Sequence, residues 1–220
     1  MLYFSTFEEE TSRLKDGLKK LRTGTTTVGV SCTNGVVLAT DRRVTSGIYI
    51  AHKRGRKIVK LDDRIAVTIA GLVADAQMIT DYLRAQLRIM KYSGQKISVK
   101  AIATLASNIL FSGRLLPFIV QFIVAGMDDE GAHIYALDWF GTLTREKYIA
   151  TGSGSPYALG VLESGYRPDL TVEEALPMVL KAVKAAMSRD PGSGEGVDVV
   201  VITKEGVREL SDQEISKLMG

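Results

Sequence analysis

The spacing of apolar residues changes several times along this chain, and each change predicts an element. From Thr25 the pattern is strand-like: TTTVGVSCT and VVLATDRR are rich in β-branched residues and flank Asn34-Gly35, a strong hairpin signal. An ideal two-residue turn there sets Asp41 opposite Val28, on the face away from Thr25. KIVKL and RIAVTIA make a second alternating pair around Asp62-Asp63, and Gly71 ends it. Leu72, Ala76, Ile79, Leu83, Leu87 and Met90 then recur at helical spacing, and Ser98 caps a second helix carrying Ile102, Leu105, Ala106, Ile109 and Leu110. Strand patterns return in PFIVQFIVAGM, AHIYALDWF and TLTREKYIA. TGSGSP opens a helix in PYALGVLES, and Thr171 with Glu174 forms a capping box for another helix, through Met187. DPGSGEG, the strand VDVVVIT, a turn at Lys204 to Gly206 and a helix capped by Ser211 and Glu214 close the chain.

The order is strands, two helices, strands, two helices, strands. Crossovers with paired helices argue against a doubly wound parallel sheet. Hairpin-rich strands buried on one side favour an α+β fold of two antiparallel sheets, in a four-layer α-β-β-α sandwich. A break near residue 114 divides one domain into two similar halves, with no linker. Residues 1–24 differ: they are polar, of mixed charge, with a weak helical stripe at Leu14, Leu18 and Leu21. They are expected to be a tether or a removable segment, leaving 25–220 as a single domain.

Composition narrows the function classes. The 220 residues are 45% apolar and 24% charged, as in ordinary globular chains. A net charge of +3 is too small and dispersed to argue for nucleic acid, and the one basic cluster, HKRGRK, fits a solvated strand end. The single cysteine, Cys32, excludes an internal disulfide framework and, with two isolated histidines, a cysteine–histidine metal site. No apolar run reaches the roughly 18 residues of a membrane span, and MLYFSTFEEE lacks the basic start of a secretory signal. A protein of a reducing, cytoplasmic compartment is expected.

The stretch LRTGTTTVGV carries the chemical question. A threonine hydroxyl is a weak nucleophile and needs an adjacent base. Cutting between Gly24 and Thr25 would create an α-amine on the same residue, with an unperturbed pKa of about 7.7–8.0, suited to that role near neutral pH. The plainer reading is a β-branched strand start after a flexible glycine. Asp41 in TDRR reads equally as a surface charge paired to Arg42 or Arg43, and Lys57 as solvated charge. Ser153 in GSGSP and Ser193 in DPGSGEG read as turn or cap residues.

Taken together, GTTTVGV, ATDRRVTSG, HKRGRKI, TIAGLVADAQ, TGSGSPYALGVLE and RDPGSGEGVDVVVIT resemble, in order and spacing, the 20S proteasome β-subunit series, and most closely its archaeal catalytic members. The resemblance implies an N-terminal-nucleophile hydrolase fold and a threonine endopeptidase made as a zymogen, needing no metal or organic cofactor. Residues 1–24 would be a propeptide, removed autocatalytically at Gly24-Thr25. Thr25 would be the nucleophile, with Lys57 beside it and Asp41 as the ionic partner of Lys57. The Gly71 N–H would stabilise the oxyanion, while Ser153, Asp190 and Ser193 would form the polar network around the Thr25 amine. Val44, Gly55, Val59, Ile69 and Val73 would line the substrate pocket. The partners implied are a homo- or hetero-heptameric β ring, α-subunit rings, an ATP-dependent unfoldase, and protein or peptide substrates. Two alternatives stand beside this: a ring subunit with the fold but no activity, and a different amidase with an N-terminal nucleophile.

Overall fold

A computed structural model describes residues 24–219; the leader's helical stripe lies outside the described residues. Twelve strands and five helices are found among them. The first sheet holds β1 (Thr27–Ser31), β2 (Val36–Asp41), β10 (Tyr148–Thr151), β11 (Val197–Thr203) and β12 (Gly206–Glu209), in the order β10-β1-β2-β11-β12. The second runs β5-β6-β7-β8-β9, built from Ile58–Asp62, Ile65–Gly71, Val120–Asp128, Gly131–Leu137 and Leu143–Glu146. Every pairing is antiparallel. A two-stranded hairpin, β3 (Val44–Ser46) with β4 (Tyr49–His52), stands apart from both.

Period-two alternation sorts the strand side chains into layers. Val28, Val30, Val37, Ala39, Val199 and Val201 face α3 (Ser155–Gly165), α4 (Val172–Met187) and α5 (Asp212–Met219). Their neighbours Val36, Leu38, Val200 and Ile202 face the second sheet and meet Ile123, Ala125 and Ile134 there. The far side of that sheet packs Val67, Val120, Phe122 and Val124 against α1 (Val73–Tyr92) and α2 (Val99–Ser112). The layers are therefore α-β-β-α, as the sequence pattern predicts. The break near residue 114 falls between the two helix layers, but each sheet takes strands from both sides of it.

The predicted helix caps form. Ser98 Oγ accepts from the Ala101 N–H, and Thr171 and Glu174 make the full capping box. Three expectations change. TLTREKYIA is not one strand; the chain leaves the second sheet after Glu146 and enters the first at Tyr148, with Lys147 accepting from the Ser31 N–H at the crossing. The basic cluster HKRGRK begins on the last residue of a hairpin that the short run TSGIYIA, mostly exposed beyond Thr45, did not announce.

The third change concerns register. The β1–β2 connection is four residues long, Cys32–Gly35, rather than a tight turn on Asn34-Gly35. Its middle is drawn towards the start of α4: Thr33 N–H donates to Leu170 O, and Asn34 Oδ1 accepts from the Val172 N–H at 2.8 Å. A side chain at Gly35 would come within 2.4 Å of Ile202 O. Asp41 therefore lies beside Thr26, its N–H donating to Thr26 O at 3.1 Å, instead of opposite Val28.

Candidate active site

That register shift places a carboxylate at the end of β2, next to the chain entering β1. Thr25 and Thr26 precede the first paired residue, Thr27, so strict strand alternation no longer separates them. Thr25 Oγ1 donates to Asp41 Oδ1 at 3.0 Å, and the Thr26 N–H donates to the same oxygen at 2.8 Å. The facing problem posed by the ideal hairpin is resolved because the carboxylate wraps the strand end.

Lys57 comes from the connection between β4 and β5 and donates from Nζ to Asp41 Oδ1 at 2.6 Å. Asp41 Oδ2 accepts from the Arg43 and Gly194 N–H groups, both at 2.9 Å. All five partners are donors, which suits an acceptor-only carboxylate that is 0% exposed. Thr25 and Lys57 are only 3% and 7% exposed. Burial pushes the Lys57 ammonium below the ordinary lysine range, and Asp41 opposes that shift. The surface pairing considered for Asp41 does not form: Arg42 bonds Asp198 and Asp212, and the Arg43 side chain bonds Glu195.

A second network surrounds the Thr25 nitrogen. The Thr25 N–H donates to Ser153 Oγ at 3.1 Å, and Ser153 Oγ donates to Asp190 Oδ2 at 2.7 Å. Ser193 Oγ donates to the same Asp190 oxygen at 2.6 Å, leaving Thr26 Oγ1 to donate to Ser193 Oγ at 2.7 Å. The glycines of TGSGSP let this loop close on Thr25. A Cβ on Gly152, at φ 90°, would meet Thr25 O at 2.3 Å, and one on Gly154 would meet Thr26 Oγ1 at 2.0 Å.

The residues that build this site fall in motifs with a known pattern. A family model described as "Proteasome subunit" matches residues 21–202. The chain belongs to the proteasome subunit family. Relatives within it include "Proteasome subunit beta 1" of Pyrobaculum arsenaticum, 55% identical over 182 residues, covering 82% of this chain and 90% of the relative. "Proteasome subunit beta 1" of Caldivirga maquilingensis is 51% identical over 203 residues, covering 90% and 98%. "Proteasome subunit beta" of Methanocaldococcus vulcanius is 52% identical over 200 residues, covering 90% of each chain.

In this member of the family, Thr25 opens onto a cleft of about 1080 Å³ between the β3–β4 hairpin and the start of α1. Four of the five pocket residues implied by the resemblance line it: Val44, Gly55, Ile69 and Val73. Val59 does not. It pairs with Val67, two residues before Ile69, and packs with Ile69 on the same helix-side core, but one step further along the sheet and outside the cleft. Gly71 lines the cleft at φ 132°, where a Cβ would meet Ile119 O at 2.1 Å, so no other residue fits that bend. Lys53, Arg54 and Arg56 also line the cleft, and no carboxylate does so among the described residues.

Three contributors were not foreseen. Gly194 supplies an N–H to Asp41, Thr26 joins the Ser193 network, and Thr45 Oγ1 accepts from the Gly24 N–H at 2.7 Å. The repeated glycines of DPGSGEG were a usable signal for the first. Nothing local marks Thr45. Among the described residues, no group of three or more His, Cys, Asp or Glu side chains is placed to hold a metal ion, and no helix is long and apolar enough to cross a membrane.

Proposed function

We propose that this chain is a threonine endopeptidase subunit of a 20S-type proteasome core, activated by self-cleavage after Gly24. One observation carries the reading: the Thr25 hydroxyl donates to a fully buried carboxylate that also holds Lys57, immediately beside the Gly24–Thr25 bond. With that bond intact the Thr25 nitrogen is an amide and has no basicity to offer. Once it is cut, the same nitrogen becomes an amine with a proton affinity near neutral, already directed by Ser153 towards Asp190.

The positive charge of Lys57 lowers the proton affinity of the Thr25 site, and Asp41 fixes its position. Thr25 attacks a peptide carbonyl, the amine takes the hydroxyl proton and returns it to the leaving nitrogen, and water hydrolyses the resulting ester. The Gly71 N–H stabilises the oxyanion, a preorganised contribution worth about 3–4 kcal/mol in comparable sites. Partners follow from the family: heptameric β rings stacked between α rings and fed by an ATP-driven unfoldase. Enclosure suits a protease of low specificity. A peptide β-lactone tests the nucleophile directly; the acyl adduct should map to Thr25 after proteolytic digestion, and an adduct on any other residue refutes the assignment.

Two further results are expected. The cleft wall near Thr25 is apolar at Val44, Ile69 and Val73, with cations at Lys53, Arg54 and Arg56, so cleavage should be fastest after apolar residues. Fluorogenic peptides should be cut after leucine or tyrosine at least about tenfold faster than after arginine, the scale at which pocket complementarity discriminates; faster cleavage after charged residues contradicts this. Gly24 is packed against Gly192, whose Cα would lie 2.2 Å from an added Cβ. Gly24→Ala must displace the scissile bond, and leader removal followed by intact mass should slow by roughly tenfold or more.

A further inference from the structure

The Gly24 carbonyl sits between two amides, and each amide is held by a hydroxyl group. On one side the Thr25 N–H donates to Ser153 Oγ at 3.1 Å; on the other the Gly24 N–H donates to Thr45 Oγ1 at 2.7 Å. Thr45 is 6% exposed and belongs to β3, 21 residues along the chain from the amide it holds. Its aim is built into the hairpin. The β3–β4 register shifts between Val44 and Thr45, and an irregularity of this kind re-aims a side chain. Gly55 clamps the start of β3, its N–H donating to Arg42 O at 2.9 Å, with only 2.2 Å between an added Cβ and Val44 Cγ2. Behind Gly24, the bare Cα of Gly192 closes the remaining side.

We propose that Thr45 is a positioning residue for cleavage at Gly24–Thr25, its hydroxyl holding the Gly24 amide so that the carbonyl between the two anchored amides is presented to Thr25 Oγ1. The inference rests on the self-cleavage proposed above. In that step Thr25 Oγ1 bonds to the Gly24 carbonyl carbon while the hydroxyl proton leaves by way of Asp41 Oδ1. The Gly24–Thr25 C–N bond breaks, and the proton ends on the Thr25 nitrogen as an amine. Water then hydrolyses the ester, giving the Gly24 carboxylate and restoring the Thr25 hydroxyl. Thr45 exchanges no proton; it accepts one hydrogen bond and fixes an angle.

The test follows leader removal by time-resolved intact mass in the full chain and its Thr45→Ser and Thr45→Val variants. Serine keeps the acceptor and should cleave within about twofold of the unaltered chain; valine keeps the shape but not the acceptor and should be roughly tenfold slower. Melting temperatures, compared in a Thr25→Ala background where no cleavage intervenes, separate slow cleavage from misfolding. If valine unfolds the chain, Thr45→Cys, a weak acceptor of modest size, takes its place with the same slowing expected. Rapid cleavage by Thr45→Val, or by Thr45→Cys in that event, overturns the inference, as does a serine variant as slow as valine. An unaltered chain that never cleaves, even when assembled with the α rings proposed above, refutes the self-cleavage itself, a different and distinguishable failure.

Discussion

Thr25→Ala is expected to abolish peptide hydrolysis and to leave residues 1–24 attached, while the fold survives. In the proposed mechanism the hydroxyl is the atom that both reactions use, so both should fall by roughly 10⁴-fold or more, the scale seen when a covalent nucleophile is removed. The structural loss is small by comparison: one hydrogen bond to Asp41 disappears, while Asp41 keeps its bonds to Thr26, Arg43, Lys57 and Gly194. Thr25→Ser retains the hydroxyl and should keep measurable activity in both reactions. Fluorogenic peptide assays and intact mass on the same preparations check the pair. An alanine variant that assembles and hydrolyses peptides normally would sink the assignment.

Lys57→Met is expected to remove activity to a similar depth and to cost stability as well. Asp41 is wholly buried, and without the ammonium its charge loses the partner at 2.6 Å. Breaking a buried pair from one side costs about 3–5 kcal/mol, and the four remaining donors to Asp41 place this case at the low end. Pairing the change with Asp41→Asn removes the stranded charge, so the double variant should recover much of the lost stability and none of the activity. Chemical denaturation beside peptide hydrolysis reads the two effects separately. Equal stability of the single and double variants would contradict the account of Asp41 as a charge that needs Lys57.

Local signals were the legible ones. Ser98, Thr171 with Glu174, and Ser211 with Glu214 announce helix starts because capping is settled within four residues of sequence. Alternation in VVLATD and VDVVVIT likewise sorts side chains between the helix layer and the opposing sheet. What the sequence concealed was set at long range. TLTREKYIA reads as one continuous strand, and only the placement of two sheets decides that it must divide at Lys147. The position of Asp41 follows from Asn34 and Thr33 bonding near the start of α4, nearly 140 residues away, which no hairpin rule contains.

The site divides the same way. Thr25, Asp41, Lys57, Ser153, Asp190 and Ser193 stood out through their motifs, and the structure gathers their side chains into two linked hydrogen-bond networks. Val59 shares its sheet face with Ile69, which does line the cleft, and only its position opposite Val67, one step further along the strands, leaves it outside. Thr45 could not be singled out, because its importance lies in one contact made across a bulged hairpin.

The most direct measurement is the intact mass of this chain recovered from assembled, peptide-hydrolysing particles. The account predicts a chain beginning at Thr25, lighter by residues 1–24. A chain that still carries those residues in active particles would contradict it.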